Sequence, residues 1–158
     1  MMLSKLFVVL GLLFSLHAYL PAQETSPDVF ILGENESEYL TLQAAYSKSL
    51  LEVCNNDLQQ AFDAWLNMMQ EMDRYAEKID YDIRGVKVMF HVFWNSDGTV
   101  AKLGYLLRPD SKLLPEAELK AFFSSFIRRY QLPLTSDKRF MHYTGATFPT
   151  FSEAYNKK

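Results

Sequence analysis

Residues 86–108 restrict the fold more than any other stretch of this 158-residue chain. VKVMFHVFW, at positions 86–94, is a run of β-branched and aromatic residues, the composition of a buried strand. Strand geometry places Val86, Val88, Phe90, Val92 and Trp94 on one face and Lys87, Met89, His91 and Phe93 on the other. Asn95-Ser96-Asp97-Gly98 follows as a turn, with glycine where a positive φ is required. TVAKLGYLLR, at 99–108, then returns with Ala101, Leu103, Tyr105 and Leu107 alternating with Lys102, Gly104 and Arg108. The pattern predicts an antiparallel hairpin. A two-stranded hairpin is marginal in water, so its apolar face demands a further strand and a covering helical layer.

The flanking sequence supplies both. From Glu38, the spacing of Leu42, Ala45, Tyr46 and Leu50 predicts a helix that Asn55-Asn56-Asp57 breaks. Asn56, with Gln59 three residues later, predicts the N-cap and capping box of a second helix reaching about Lys78. Its apolar stripe is Leu58, Phe62, Trp65, Met69, Met72 and Ala76, and methionines at helical spacing beside aromatics read as core filling. Pro115 suits a first helical turn, with Glu116 and Glu118 at the positive end of the helix and Arg128 and Arg129 at the other. Leu119, Phe122, Phe123, Phe126, Ile127 and Tyr130 form its apolar face, and Leu132-Pro133 stops it. RFMHYTGATF, at 139–148, predicts a third strand with Gly145 inside it. The expected fold class is therefore α+β in the order α-α-β-β-α-β. Residues 38–158 form a single domain, a helical hairpin over 38–79 followed by a small antiparallel β-β-α-β sheet over 80–158 with helices on one face. Residues 24–37 are an acidic lead in which 29–32 has the composition of a brief strand.

The amino terminus reads as a secretory signal peptide over residues 1–23. Lys5 supplies the positive region, 6–16 an apolar run, and HAYLPAQ a cleavage region with Ala18, Ala22 and Gln23 as candidate last residues. Cleavage near residues 22–23 would deliver the chain to the periplasm or the exterior. A retained anchor is the alternative, but His17 and Pro21 interrupt the run short of the roughly 20 apolar residues a spanning helix needs. No stable membrane span is expected after cleavage. The one cysteine, Cys54, forbids an internal disulfide. It reads as a small buried hydrophobe, with a disulfide-linked homodimer as the other reading.

Charge divides unevenly along the chain. Residues 24–82 carry 13 acids and 3 bases, and residues 83–158 carry 6 acids and 12 bases, so the halves stand near −10 and +6. The simpler reading is two halves docked through complementary fields. The other is a basic face for an acidic protein segment or an envelope polymer. Its candidate partner-binding residues are Arg128, Arg129, Lys138, Arg139, His142 and Tyr143, with Tyr130 and Phe140 interleaved. No nucleic-acid-binding motif is present, and no nucleic acid partner is expected.

Chemistry-bearing groups are sparse. His91 and His142, the histidines beyond the signal segment, lie on predicted strands without neighbouring ligands at metal spacing. Ser96 and Asp97 are explained by turn geometry, and Asp80/Asp82 and Glu71/Asp73 by a loop and a polar helix face. No phosphate loop, CxxC, HExxH or GxSxG occurs. No catalytic, cofactor-binding or metal residue is predicted. The expectation is a non-enzymatic binding or accessory module for an envelope protein, contacting it through an exposed strand edge and the basic half. The alternative is a small secreted enzyme or ligand-binding domain with a pocket between the Phe62/Trp65/Met69 helix and the sheet.

Across residues 85–130 the chain resembles the C-terminal domain of TonB-type energy transducers, and the likeness extends to about Phe148. Gly85, Val86, Val88, Phe90, Val92, Asp97, Gly98, Val100, Leu119 and Phe122 fall where that family shows a glycine, an alternating strand, an Asp-Gly turn, a second strand and an apolar helix. The family's Tyr-Pro pair is absent before Gly85, and Arg108-Pro109-Asp110-Ser111 replaces its Ser-Ser-Gly loop. Two predicted helices precede the sheet in place of an anchor and a long Pro-rich linker. The resemblance therefore implies the fold and the envelope compartment, without energy transduction.

Overall fold

The computed structural model describes residues 28–150. The expected signal segment lies outside these residues. Among the described residues, no helix is long and apolar enough to cross a membrane.

The predicted hairpin is the centre of the molecule. β3 (Lys87–Trp94) and β4 (Val100–Leu107) pair antiparallel, with Phe90 opposite Tyr105 and Val92 opposite Leu103. β5 (Phe140–Thr147) pairs antiparallel with the other side of β3, placing Phe90 opposite Thr144 and Val92 opposite His142. The expected sheet ended there. Two short strands extend it: β1 (Val29–Ile31) lies parallel to β4, and β2 (Lys48–Ser49) lies parallel to β5. Among the described residues the sheet is mixed and five-stranded, in the order β1-β4-β3-β5-β2, which corrects the antiparallel three-stranded expectation.

The amino-terminal helices also differ from expectation. Instead of one helix there are α1 (Glu36–Ala45) and the single turn α2 (Leu50–Val53), separated by β2. The break has a local cause. Tyr46 leaves the helix to bury its ring against Phe93, 5.1 Å between centroids, and Ser49 caps the next turn through a reciprocal bond pair with Glu52. α1 begins at Asn35, whose side chain accepts from the Glu38 N–H, inside the expected acidic lead. Asn55 and Asn56 both adopt left-handed backbone (φ 56° and 62°), so the N-cap falls to Asp57, which accepts from the Gln60 N–H, rather than to Asn56.

α3 (Leu58–Lys78) and α4 (Glu116–Ile127) cover one face of the sheet. Phe90 is the hub of that interface, edge-on to Trp65, Phe123 and Phe148. Met68, Met69 and Met72 fill the space beneath α3 and are all but inaccessible. Leu58 and Phe62 do not join them; at 73% and 56% exposure, they correct the amino-terminal part of the predicted stripe. After α4 the chain wraps the hairpin turn, with the Leu132 N–H donating to the Gly98 carbonyl and the Ser136 N–H to the Ser96 carbonyl. Thr150 is fastened to α3, where its N–H and hydroxyl donate to Asp73.

Candidate functional site

Where β5 meets solvent, the sheet is left incomplete. β2 covers Phe140 and Met141, and beyond them no described strand pairs with the outer side of β5. The direction of its backbone groups follows from the flanking bonds. The Phe148 N–H donates to the Val86 carbonyl, while the Arg108 N–H donates to the Lys87 carbonyl on the opposite side of β3. Alternation then turns His142, Thr144 and Ala146 inward to β3 and the N–H and C=O of Tyr143, Gly145 and Thr147 outward. Three residues in succession thus offer main-chain donors and acceptors along one edge.

The two histidines, neighbours in the sheet, are separated by it. His142 projects toward the helices, where its ring stands 5.1 Å from that of Trp65. His91 pairs with Tyr143 and projects to the opposite face, beneath α1. They cannot share a ligand, and among the described residues no group of three His, Cys, Asp or Glu side chains is placed to hold a metal ion. His91 is 1% exposed. Its Nδ1 lies 2.7 Å from the Tyr39 hydroxyl and its Nε2 3.1 Å from the Met141 sulfur, and its ring stacks on Phe93 at 4.2 Å. Burial, aided by the positive charge available to His142, pushes His91 down to about 4. Burial lowers His142 as well.

The six residues expected at a partner-binding face are not brought together. Arg128 caps the carboxyl end of α4, and Arg129 places its guanidinium 5.1 Å over the Tyr75 ring on α3. Lys138 is exposed before β5, and Arg139 lies 4.8 Å over the Tyr46 ring. Tyr143 stands on the α1 face at 54% exposure, with His142 on the other. Arg139 and Tyr143 share the α1 face, and Lys138 lines a shallow depression beside Arg139. The charge split is instead absorbed in part between the halves, through Lys112 with Asp82 at 3.0 Å and Lys102 with Asp28 at 4.0 Å.

The space expected between the Phe62/Trp65/Met69 helix and the sheet is not a pocket. Trp65 and Met69 fill it, and Phe62 points outward. What the sequence did not disclose is that α1 returns over the other face, since its weak amphipathicity gives no sign of a docking surface. Gly104 was the available signal. A Cβ there would meet the Phe30 ring at 2.9 Å and a Leu32 methyl at 2.6 Å, so the missing side chain lets the amino-terminal segment lie flat on β4.

Compared with known proteins, the chain matches no family model, no curated protein and no solved structure.

Proposed function

We propose that the protein is an exported, periplasmic, non-enzymatic accessory module that binds an envelope protein by adding one of its extended segments to the outer edge of β5. One observation carries the reading: Tyr143, Gly145 and Thr147 face outward in register beside a filled core. An edge of this kind gives affinity through main-chain bonds and specificity through alternate side chains. Tyr143, 54% exposed, would pack against a side chain of the partner strand. The secretory signal read at residues 1–23 supports a compartment shared with such partners. The resemblance to TonB-type C-terminal domains supports the same order of elements, a hairpin, a helix and a third strand. The enzymatic alternative would need a histidine beside a carboxylate in a polar pocket; His91 instead contacts a phenol, a thioether and rings.

The test is crosslinking recovery from the periplasmic fraction with wild type, Tyr143→Ala and Tyr143→Pro. Proline at an edge position whose N–H points outward leaves the β3 ladder intact. Equal melting temperatures and near-ultraviolet circular dichroism establish that both variants are folded. The expected result is one partner retained by Tyr143→Ala and lost by Tyr143→Pro. Recovery of the same partner by all three proteins sinks addition along this edge.

A further inference from the structure

On the sheet face turned away from α3 and α4, α1 spans a groove of about 470 Å³, a volume suited to a small ligand. Its walls are apolar and aromatic, built from Phe30, Tyr39, Leu42, Ala45 and Tyr46. Four charged side chains also line it: Glu34, Glu38, Lys102 and Arg139.

The charges are sorted by position. β1 runs parallel to β4, so Asp28 lies at the Lys102 end and the chain leaves β1 at the Tyr105 end, where the Leu32 N–H donates to the Tyr105 carbonyl. Glu34 follows immediately, and Glu38 lies in the first turn of α1, accepting 2.7 Å from the Asn35 amide. α1 then passes Tyr39 over His91 and delivers Tyr46 to Phe93. Phe93 is the partner of Lys102 in the sheet, and Arg139 lies over Tyr46. The groove is therefore acidic at the amino end of α1 and basic at the carboxyl end. From Glu38 to Ala45, α1 rises about 10 Å at 1.5 Å per residue. That is the span of an extended tripeptide at roughly 3.4 Å per residue.

We propose that this groove binds a short apolar peptide by both free termini. The ammonium lies against Glu34 and Glu38, and the carboxylate against Lys102 and Arg139. Opposite charges fixed at that separation discriminate a zwitterion of matching length from a simple anion, cation or uncharged amphiphile. Asp28 at 4.0 Å moderates Lys102, leaving Arg139 as the stronger carboxylate donor. The aromatic lining accepts the side chains, and it is reached without any contact along the β5 edge.

The test uses isothermal titration of the full protein with leucyl-alanyl-leucine, its N-acetyl form, its C-amide and the doubly blocked form. The expected result is one site per chain, with each blocking group weakening binding about fivefold, the effect of one exposed ion pair. Glu34→Gln/Glu38→Gln abolishes the acetylation penalty alone, and Lys102→Gln/Arg139→Gln the amidation penalty alone. Tyr143→Pro binds as wild type. No saturable binding overturns the proposal, as do equal affinities for all four peptides or penalties that persist in the charge variants. Loss of binding in Tyr143→Pro assigns the peptide to the β5 edge and overturns the groove while leaving strand addition standing.

Discussion

Tyr39 and His91, 52 residues apart, meet at 2.7 Å between hydroxyl and Nδ1 and tie α1 to the central strand. α1 has no buried residue of its own, so this polar contact is a principal attachment of the helix. The proton positions follow from the partners. Gln43 donates to the Tyr39 oxygen at 3.2 Å, and the Met141 sulfur can only accept. Tyr39 then donates to Nδ1, and Nε2–H points at the sulfur. Each group is satisfied with His91 neutral. Protonating His91 would make both ring nitrogens donors and leave the Tyr39 hydrogen without its acceptor.

This gives a signed dependence on pH. His91 is held at about 4 in the fold against 6.5 in the open chain, so between these values the unfolded state binds more protons. The contribution to stability is complete above about 6.5 and is lost as pH falls toward about 4, and it amounts to at most about 3 kcal/mol. His142, lowered by burial, acts in the same direction. Urea unfolding at stepped pH should show stability falling across this window. His91→Gln should flatten the fall without removing the part due to His142. An unchanged slope in the variant would show that His91 is not the titrating group.

Gly98 serves two purposes in the hairpin turn. Its φ is +86°, and a Cβ would press on the Leu132 carbonyl oxygen and approach that of Leu134 at 2.7 Å. The oxygens belong to the segment wrapping the turn and cannot move as a side-chain tip can. Gly33 has a similar φ of +95° but open space around its missing Cβ. Gly33→Ala should therefore cost about 1 kcal/mol, the left-handed backbone strain alone. Gly98→Ala should cost about 2 kcal/mol or more and lower the melting temperature by roughly 5–10 °C. Equal costs for the two would show that the wrapping segment yields.

The contrast between what local pattern predicts and what the chain adopts follows the same logic. Strands 86–94 and 99–108, the Asp97-Gly98 turn and the helices after Asp57 and Pro115 are written in alternation, turn chemistry and amphipathic spacing, and each appears, with the helix after Pro115 ending at Ile127, ahead of the expected stop at Leu132-Pro133. β1 shows in the sequence only as strand composition over 29–32, without the edge it joins, and β2 carries no signal, because two- and three-residue strands are stabilised by the edges they join. The break at Tyr46 has the same origin: a helical spacing is overruled by an aromatic ring that gains more against Phe93. The candidate basic residues are spread because residues adjacent in sequence point to opposite faces of β5, as His142 and Tyr143 do. The β5 edge was anticipated from strand count, whereas the groove under α1 depends on a contact between residues 39 and 91 that spacing cannot foretell.

The amino-terminal turns of α3 test how far the apolar stripe is core. Phe62 is 56% exposed, whereas Met72 is fully enclosed beneath the same helix. Phe62→Ser should change stability by no more than about 0.5 kcal/mol, within the range of surface substitutions. Met72→Ala should cost about 2–5 kcal/mol by emptying packed space. Chemical denaturation of the two single variants measures both. A large loss for Phe62→Ser would mean that its ring is covered in the working protein, most directly by a partner or a second copy.

Cys54 closes the list of reactive groups, and its position decides its chemistry. It is wholly buried behind α2, and burial, with the Asp57 carboxylate nearby, pushes the thiol up from its ordinary value. Thiolate is the attacking species in disulfide exchange, so a buried, acid-weakened thiol reacts only through opening of the fold. The native protein should leave an aromatic disulfide reagent uncoloured over minutes at pH 8 and should react with one equivalent at once in 6 M guanidinium, a concentration on the order of that which unfolds stable domains. A disulfide-linked homodimer through Cys54 would require the same opening, so non-reducing electrophoresis of folded protein should show monomer. Rapid labelling of the native chain would overturn this and restore the covalent dimer as a functional form.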